Sequence, residues 1–208
     1  GWIGNASYTS NTISNIAFIN PSLNLSSGGW GSASGIVAAN TQEAINNVFI
    51  SGATLSCLST CEGLGGVVGN TAGSGHLSNI YFVNGAVSAV GPRSIVGGIV
   101  GLLQSSKATN LNVINSTVSG GGIISNNGGT GGISGFSFSE RITNSTVSGS
   151  TITATAVDGA AGGVTGLNYN PIYGNNITNS TIRATSINAY AGGLYGYELN
   201  PSNIHSNT

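Results

Sequence analysis

A short glycine motif returns about every 32 residues along this chain of 208 residues, and its period constrains the fold more than any single residue does. The motif is a glycine pair, an apolar residue, a variable residue and a small residue. The motif matches well from residue 66 onward and less well before it, and its second position falls at 1, 35, 66, 98, 132, 163 and 193. Such a period indicates stacked repeats, because one repeat cannot bury its own apolar face.

A second landmark, an apolar residue two positions before an asparagine, follows the glycine motif. The asparagines are Asn15, Asn47, Asn79, Asn110, Asn144 and Asn179. Three positions later the residues are Phe18, Ile50, Phe82, Val113, Val147 and Ile182. Eight positions later they are Leu23, Leu55, Val87, Val118, Ile152 and Ile187. The apolar columns predict buried strand positions that lie above one another in successive repeats.

The asparagines mark a predicted corner. In a regular strand, the apolar residue two positions before each asparagine would lie on the same face as the asparagine. The residues one and three positions after it would lie on the opposite face, so the inward face of the strand changes at the asparagine. Asparagine tolerates the left-handed backbone that a corner requires. Because the flanking positions are apolar, we expect the asparagines to face inward and to form an amide ladder. The alternative is that they are turn formers on the surface.

The pattern predicts one all-β domain over residues 1–208, a parallel β-solenoid of six to seven coils with about 32 residues per coil. Each coil is expected to contain three short strands, and successive coils to pair in parallel at about 4.8 Å. The glycine pairs are expected to form a second corner or a close approach, since glycine has no side chain to clash there. No segment has the periodicity of a helix.

The glycine motif, the apolar-x-Asn landmark and the following Thr/Ser-apolar strand together resemble the GLUG repeat of bacterial and archaeal surface proteins and adhesins. The resemblance covers nearly the whole chain and is weakest before Gly35. An aromatic residue frequent in that family is replaced here by Thr146 and Thr181. The resemblance implies an extracellular β-solenoid and brings no catalytic residues.

Charged residues make up only 4% of the chain, with four Lys or Arg and a formal net charge of −1. This excludes a phosphate-tracking surface, so we expect no nucleic-acid partner. No apolar run is long enough for a membrane helix, and no signal peptide is recognisable, so the sequence is expected to begin after processing or to be a fragment. A surface of Ser, Thr, Asn and Gly suits an immobile, assembled or glycosylated extracellular protein.

Cys57 and Cys61 are the two cysteines, too few for a tetrahedral zinc site. They are either free or joined as a small loop, and a disulfide is expected in an extracellular chain. Sequons for N-linked glycans occur at several asparagines, and those in the inward column, Asn144 and Asn179, are expected to be bare. The better acceptors are Asn5, Asn24, Asn115 and Asn176.

The sequence predicts no enzyme, no cofactor and no metal site. Its acids are Glu43, Glu62, Glu140, Asp158 and Glu198, and none of them forms the close pair that glycoside cleavage requires. Lys107 and Arg141 share one position of the repeat and, like the acids, are expected to be solvent-exposed loop charges. His76 and His205 lie near neither cysteine nor a repeated acid, and no nucleophile elbow is present.

These features favour a structural subunit or segment of an extracellular filament, sheath or adhesin stalk. Its partners would be further copies of itself, joined head to tail through uncapped solenoid ends, and N-linked glycans. The candidate interface residues are Trp2, Trp30, Tyr195 and Tyr197, which alternatively pack within the terminal coils. A carbohydrate-binding or surface-binding adhesin module is the alternative function, and ice binding through the outward Ser/Thr columns is a further one.

Overall fold

The chain folds into a β-solenoid of about six coils with about 32 residues per coil, which confirms the predicted fold class. The computed structural model describes residues 2–6, 11–26, 33–73, 75–104, 106–138, 141–169, 171–199 and 207–208, and only the backbone of residues 5 and 6. Among these residues, each pairing between strands joins successive coils and is parallel.

Four parallel sheets run along the solenoid, and each coil contributes to sheets 1, 2, 3 and 4 in that order. Sheet 1 contains the strands Thr12–Ile19, Ala44–Ser51, His76–Val83, Lys107–Ile114, Ile142–Thr143, Thr146–Ser148, Ile172–Tyr173 and Asn176–Thr178. Sheet 2 contains Ser22–Leu25, Thr54–Cys57, Ala86–Ala89, Thr117–Gly120, Thr151–Ala154 and Thr181–Ala184.

The glycine motif lies between sheets 3 and 4. Sheet 3 contains Ala33–Ser34, Gly63–Gly65, Ile95–Gly97, Gly129–Gly131, Ala160–Gly162 and Tyr190–Gly192. Sheet 4 contains Ile3–Ala6, Ala38–Thr41, Val68–Thr71, Val100–Leu103, Ser134–Ser137, Thr165–Asn168 and Tyr195–Glu198. The prediction of three strands per coil was therefore too low, because the backbone on both sides of the glycine pair joins a ladder.

The glycine pair is required by close approaches of the backbone, both within a coil and between successive coils. A Cβ added at Gly98 would collide with the carbonyl oxygen of Gly132 in the next coil, and one at Gly97 with the carbonyl oxygen of Val100. Neither glycine has a positive φ. The absence of a side chain, and not the freedom of the backbone, is thus what the corner needs.

The main core consists of inward side chains that lie above one another. In sheet 1 the column is Phe18, Ile50, Phe82, Val113, Val147 and Ile177. In sheet 2 it is Leu23, Leu55, Val87, Val118, Ile152 and Ile182. Both predicted columns are confirmed in the first five coils and wrong in the last. There Ile182 lies in sheet 2 instead of sheet 1, and Ile187 is 73% exposed.

A second, smaller apolar cluster lies where sheets 3 and 4 adjoin. Ile95 and Ala160 begin strands of sheet 3, and Phe136 and Leu167 are third residues of strands of sheet 4. The one 3-10 helix within the described residues, Ile124–Asn126, contributes Ile124 to the rim of this cluster. This cluster gives the solenoid an apolar patch outside its main core.

Candidate functional surfaces

The asparagine corners adopt the predicted left-handed backbone but face outward. Asn79 has a φ of 54°. Its side-chain Nδ2 donates to Asn46 Oδ1 at 2.9 Å, and Asn110 Nδ2 donates to Asn79 Oδ1 at 2.8 Å. Asn47 Nδ2 donates to Asn15 Oδ1 at 2.8 Å. Amide hydrogen bonds along the predicted column therefore join Asn15 with Asn47 and Asn79 with Asn110, while the link between these two pairs runs from Asn79 to Asn46, outside the column.

The inward orientation predicted for these asparagines is wrong. Asn15, Asn47, Asn79, Asn144 and Asn179 are exposed and Asn110 is half-buried. Leu77 and Ile80 both point into the core on either side of Asn79, so the corner residue itself lies on the outside of the bend. The surface-turn alternative describes its position correctly.

Asn179 belongs to a different column from the other five asparagines. A pair of left-handed corners five residues apart recurs in every coil, and the first column of these corners is Asn15, Asn47, Asn79, Asn110, Asn144 and Gly174. The second column is Asn20, Gly52, Asn84, Asn115, Gly149 and Asn179. The segment from 177 to 180 resembles the first corner in sequence, but Ile177 pairs with Val147, which places Asn179 at the second.

The two cysteines form a disulfide with a Cα–Cα distance of 6.4 Å, as expected. Both are buried in the second coil, where Cys57 ends the sheet 2 strand Thr54–Cys57 and Cys61 lies in the connection to sheet 3. The bond joins residues four apart and closes that connection locally.

The described acids do not converge on one site. Glu43 is only 4% exposed, so the expectation of a solvated loop charge is wrong for it, and its backbone N–H donates to Thr41 Oγ1 at 2.9 Å. Glu62 pairs with Arg93 at 3.9 Å, Asp158 is exposed at a left-handed turn, and Glu198 lies in sheet 4. Within the described ranges no group of three His, Cys, Asp or Glu could hold a metal ion.

Three of the four predicted glycan acceptors are exposed to solvent. Asn24, Asn115 and Asn176 are exposed, and Asn24 Oδ1 accepts a hydrogen bond from Ser56 Oγ at 2.8 Å. Of Asn5 only the backbone is described. Because Asn144 and Asn179 are exposed as well, the structural reason for expecting them to be bare no longer holds.

An aromatic groove of about 260 Å³ lies beside the second apolar cluster. Its apolar walls include Phe136 and Phe138, and the rings of both contact Tyr169, with centroid distances of 5.8 and 5.3 Å. Its polar lining is Glu62, Arg93, Gln104, Asn126 and Asn127. The sequence analysis does not predict Phe136 or Phe138 as site residues. The signal available was the column Leu102, Phe136, Leu167 and Tyr197, apolar residues in register across sheet 4.

The two terminal coils expose side chains that are buried in every interior coil. Those of the first coil that pack half-buried against the core are Ile13, Phe18, Leu23 and Leu25. Those of the last coil are Ile177, Ile182, Leu194 and Tyr195. Residues 207–208 extend sheet 1 of the last coil, where Ile177 N donates to Thr208 O at 2.7 Å. In the described residues, sheets 2, 3 and 4 end at this coil.

Three of the four candidate interface residues lie on these terminal coils, and Trp30 lies outside the described residues. Trp2 is 64% exposed and packs edge to face on Phe18, with ring centroids 6.1 Å apart. Tyr195 packs against the main core, where burial and a hydrogen bond with Glu198 raise its pKa. Tyr197 contacts Tyr190 at 5.3 Å. Packing within a terminal coil is therefore observed for all three.

The comparisons with known proteins add no family to this description. No family model, no curated protein and no solved structure matches the chain. Among the described residues, no helix is long and apolar enough to cross a membrane.

Proposed function

We propose that the chain is a structural subunit or segment of an extracellular filament, sheath or adhesin stalk, assembled head to tail from copies of itself. The observation that carries the proposal is the exposure of core side chains on the first and last coils. Within the described residues, the first coil presents half-buried core side chains beside edges of all four sheets that have no partner strand, and the last coil does so in sheets 2, 3 and 4. Such an edge is a template for another strand, and a contact between unlike ends propagates into a filament.

Charge at the open end offers a direct test of this assembly. Leu23 lies half-buried in the first coil and stacks on Leu55, whereas its neighbour Ser22 is exposed. We expect Leu23→Lys to prevent end-to-end association, because it buries an ammonium group at the junction. Ser22→Lys is the matched control and should still assemble.

Electron microscopy and light scattering over a concentration series would provide the measurement. Wild type and Ser22→Lys should form rods longer than one solenoid. Leu23→Lys should remain monomeric by light scattering and folded by circular dichroism. A wild-type protein that stays monomeric at the highest concentration would contradict the proposal.

An extracellular, glycosylated state is part of the proposal. The buried disulfide supports it, because such bonds persist in oxidising compartments, and so do exposed sequons at Asn24, Asn115 and Asn176. Intact-glycopeptide mass spectrometry of the native protein is expected to find sugar at one or more of these asparagines or at Asn5. Unmodified peptides at all four would remove glycans from the partners.

A carbohydrate-binding adhesin module is the second candidate, and the aromatic groove favours it. An exposed aromatic ring beside amides and an ion pair suits a sugar, whose C–H face packs on the ring while its hydroxyls meet polar groups. Phe138 is 51% exposed. In a carbohydrate array, Phe138→Ala should abolish any binding of a neutral glycan, while Phe49→Ala, on sheet 1, should not. Equal binding by both variants would exclude the groove.

A further inference from the structure

We propose that a basic column on the outer face of sheet 1 binds an acidic polysaccharide, whose sugars carry carboxylate or sulfate groups. The basic column consists of His76, Lys107 and Arg141. The inference goes beyond the proposed function, because it concerns the side of the solenoid and does not depend on whether its ends associate.

The three side chains occupy one position in three successive coils. His76 pairs in register with Lys107. Ala108 pairs with Ile142, and Ala108 N donates to Arg141 O at 3.1 Å, which places Arg141 one coil beyond Lys107. Because parallel strands are about 4.8 Å apart, the column presents a basic group at each step of about that length.

A cavity of about 490 Å³ opens along this column. Besides the basic residues it is lined by Ala108, Thr109 and Thr143, and the two threonine hydroxyls are 3.2 Å apart. The guanidinium carbon of Arg141 lies 5.8 Å from the ring centroid of Tyr173 in the next coil, a cation–π contact that favours its orientation. The site therefore offers positive charge and hydroxyl groups within one concave surface.

The charge of this site is not neutralised by its described surroundings. Of the four Lys and Arg in the chain, two are stacked here, although like charges at this separation repel. Within the part of the chain that the structure describes, neither Lys107 nor Arg141 forms an ion pair. Glu140, the sequence neighbour of Arg141, lies outside that part. A ligand that brings an anionic oxygen to each coil would relieve the repulsion.

An acidic polysaccharide fits these features better than a nucleic acid does. Two Lys or Arg side chains are too few to neutralise the run of phosphates on which nucleic-acid affinity depends. A polysaccharide can also bind through its uncharged hydroxyl groups, which the hydroxyls of Thr109 and Thr143 in the cavity lining can meet.

The test measures the affinity of the protein for defined polymers at low salt. The probes are dextran sulfate, polygalacturonate, uncharged dextran and a single-stranded oligonucleotide. We expect the wild type to bind the two acidic polysaccharides, and the double variant Lys107→Ala/Arg141→Ala to lose about 100-fold in affinity, since each charge-assisted hydrogen bond is worth about tenfold. Binding should also weaken with added salt.

Arg183→Ala is the matched control, because Arg183 is an exposed basic residue on the outer face of sheet 2. It should bind as the wild type does, and Glu140→Gln should bind at least as tightly. Circular dichroism and thermal unfolding of each variant establish that it is folded. The proposal is overturned if the wild type binds neither acidic polymer, if the double variant binds normally, or if dextran or the oligonucleotide binds as tightly.

Discussion

Interior and terminal coils carry the same sequence pattern but have different surroundings. Phe82 in the third coil is fully buried, whereas Phe18, in the same column of the first coil, is half-buried. A Cβ at Gly98 would meet the next coil, whereas one at Gly193, in the last coil, meets nothing within 4 Å. In a solenoid, the environment of a residue is therefore supplied largely by the neighbouring coils, and the same residue contributes differently to stability in interior and terminal coils.

The largest expected difference is in the phenylalanine column. Phe82→Ala should lower the free energy of unfolding by about 4 kcal/mol, because it leaves a cavity in a closed core. Phe18→Ala should cost about 1–2 kcal/mol, since its side chain is already partly exposed. Urea unfolding of both variants at low protein concentration provides the comparison. Equal losses would show that the first coil is as well covered as the third.

The glycine corner gives the second comparison. Gly98→Ala should destabilise the protein by about 2–3 kcal/mol, because the added methyl group forces two coils apart. Gly193→Ala should change the stability of the monomer by less than about 0.5 kcal/mol. If solenoids stack through this corner, the same methyl group should nevertheless reduce rod length. Thermal unfolding and sedimentation separate the two effects, and normal rods of Gly193→Ala would exclude this corner from the junction.

The asparagine ladder should show a smaller contrast. Asn79→Ala should cost about 2 kcal/mol, because alanine resists the left-handed backbone and two amide hydrogen bonds are lost. Asn15→Ala should lower the free energy of unfolding by about 1 kcal/mol, because only one amide hydrogen bond of the ladder, donated by Asn47, reaches the side chain of Asn15. Asn79→Gly keeps the backbone accessible and isolates the contribution of the amide. Thermal denaturation measures all three, and a loss for Asn79→Gly equal to that for Asn79→Ala would assign the effect to the amide alone.

The smallest effect concerns Tyr195 in the last coil. Burial, with the hydrogen bond and negative charge of Glu198, raises its pKa above the ordinary value of 10.0. The folded state therefore holds the phenol proton more tightly than the unfolded state does. The resulting stability is present below pH 10.0 and is lost as the pH rises from there through the folded pKa. In unfolding measurements across this range, Tyr195→Phe should show a shallower decline, and an unchanged slope would contradict the assignment.

The repeat period was enough to predict the fold class, because stacked coils of equal length pair only when equivalent residues align. The same reasoning failed at the last coil. The predicted columns are correct at Val147 and Ile152, but Ile182 lies in sheet 2 and not, as predicted, in sheet 1. Two left-handed corners lie five residues apart in each coil. In the last coil the second corner has the sequence of a first one, and only the pairing of Ile177 with Val147 distinguishes them.

The candidate sites were less accessible to sequence reasoning. The shared repeat position of Lys107 and Arg141 was visible, but the place of His76 beside them required the register of sheet 1. The aromatic groove joins Glu62, Arg93, Phe136 and Asn126, which come from different coils and connections. No spacing rule relates them, because connections outside the strands vary in length and course.

The sequence by itself determined the parallel solenoid, the apolar columns of the first five coils and the need for glycine between sheets 3 and 4. Each follows from a local preference repeated at a constant period. The tertiary structure decided which way the asparagines face, how many strands form each coil and which side chains share an outer surface. Those outcomes depend on the path of the backbone at each corner and on the contacts it makes with the coils on either side.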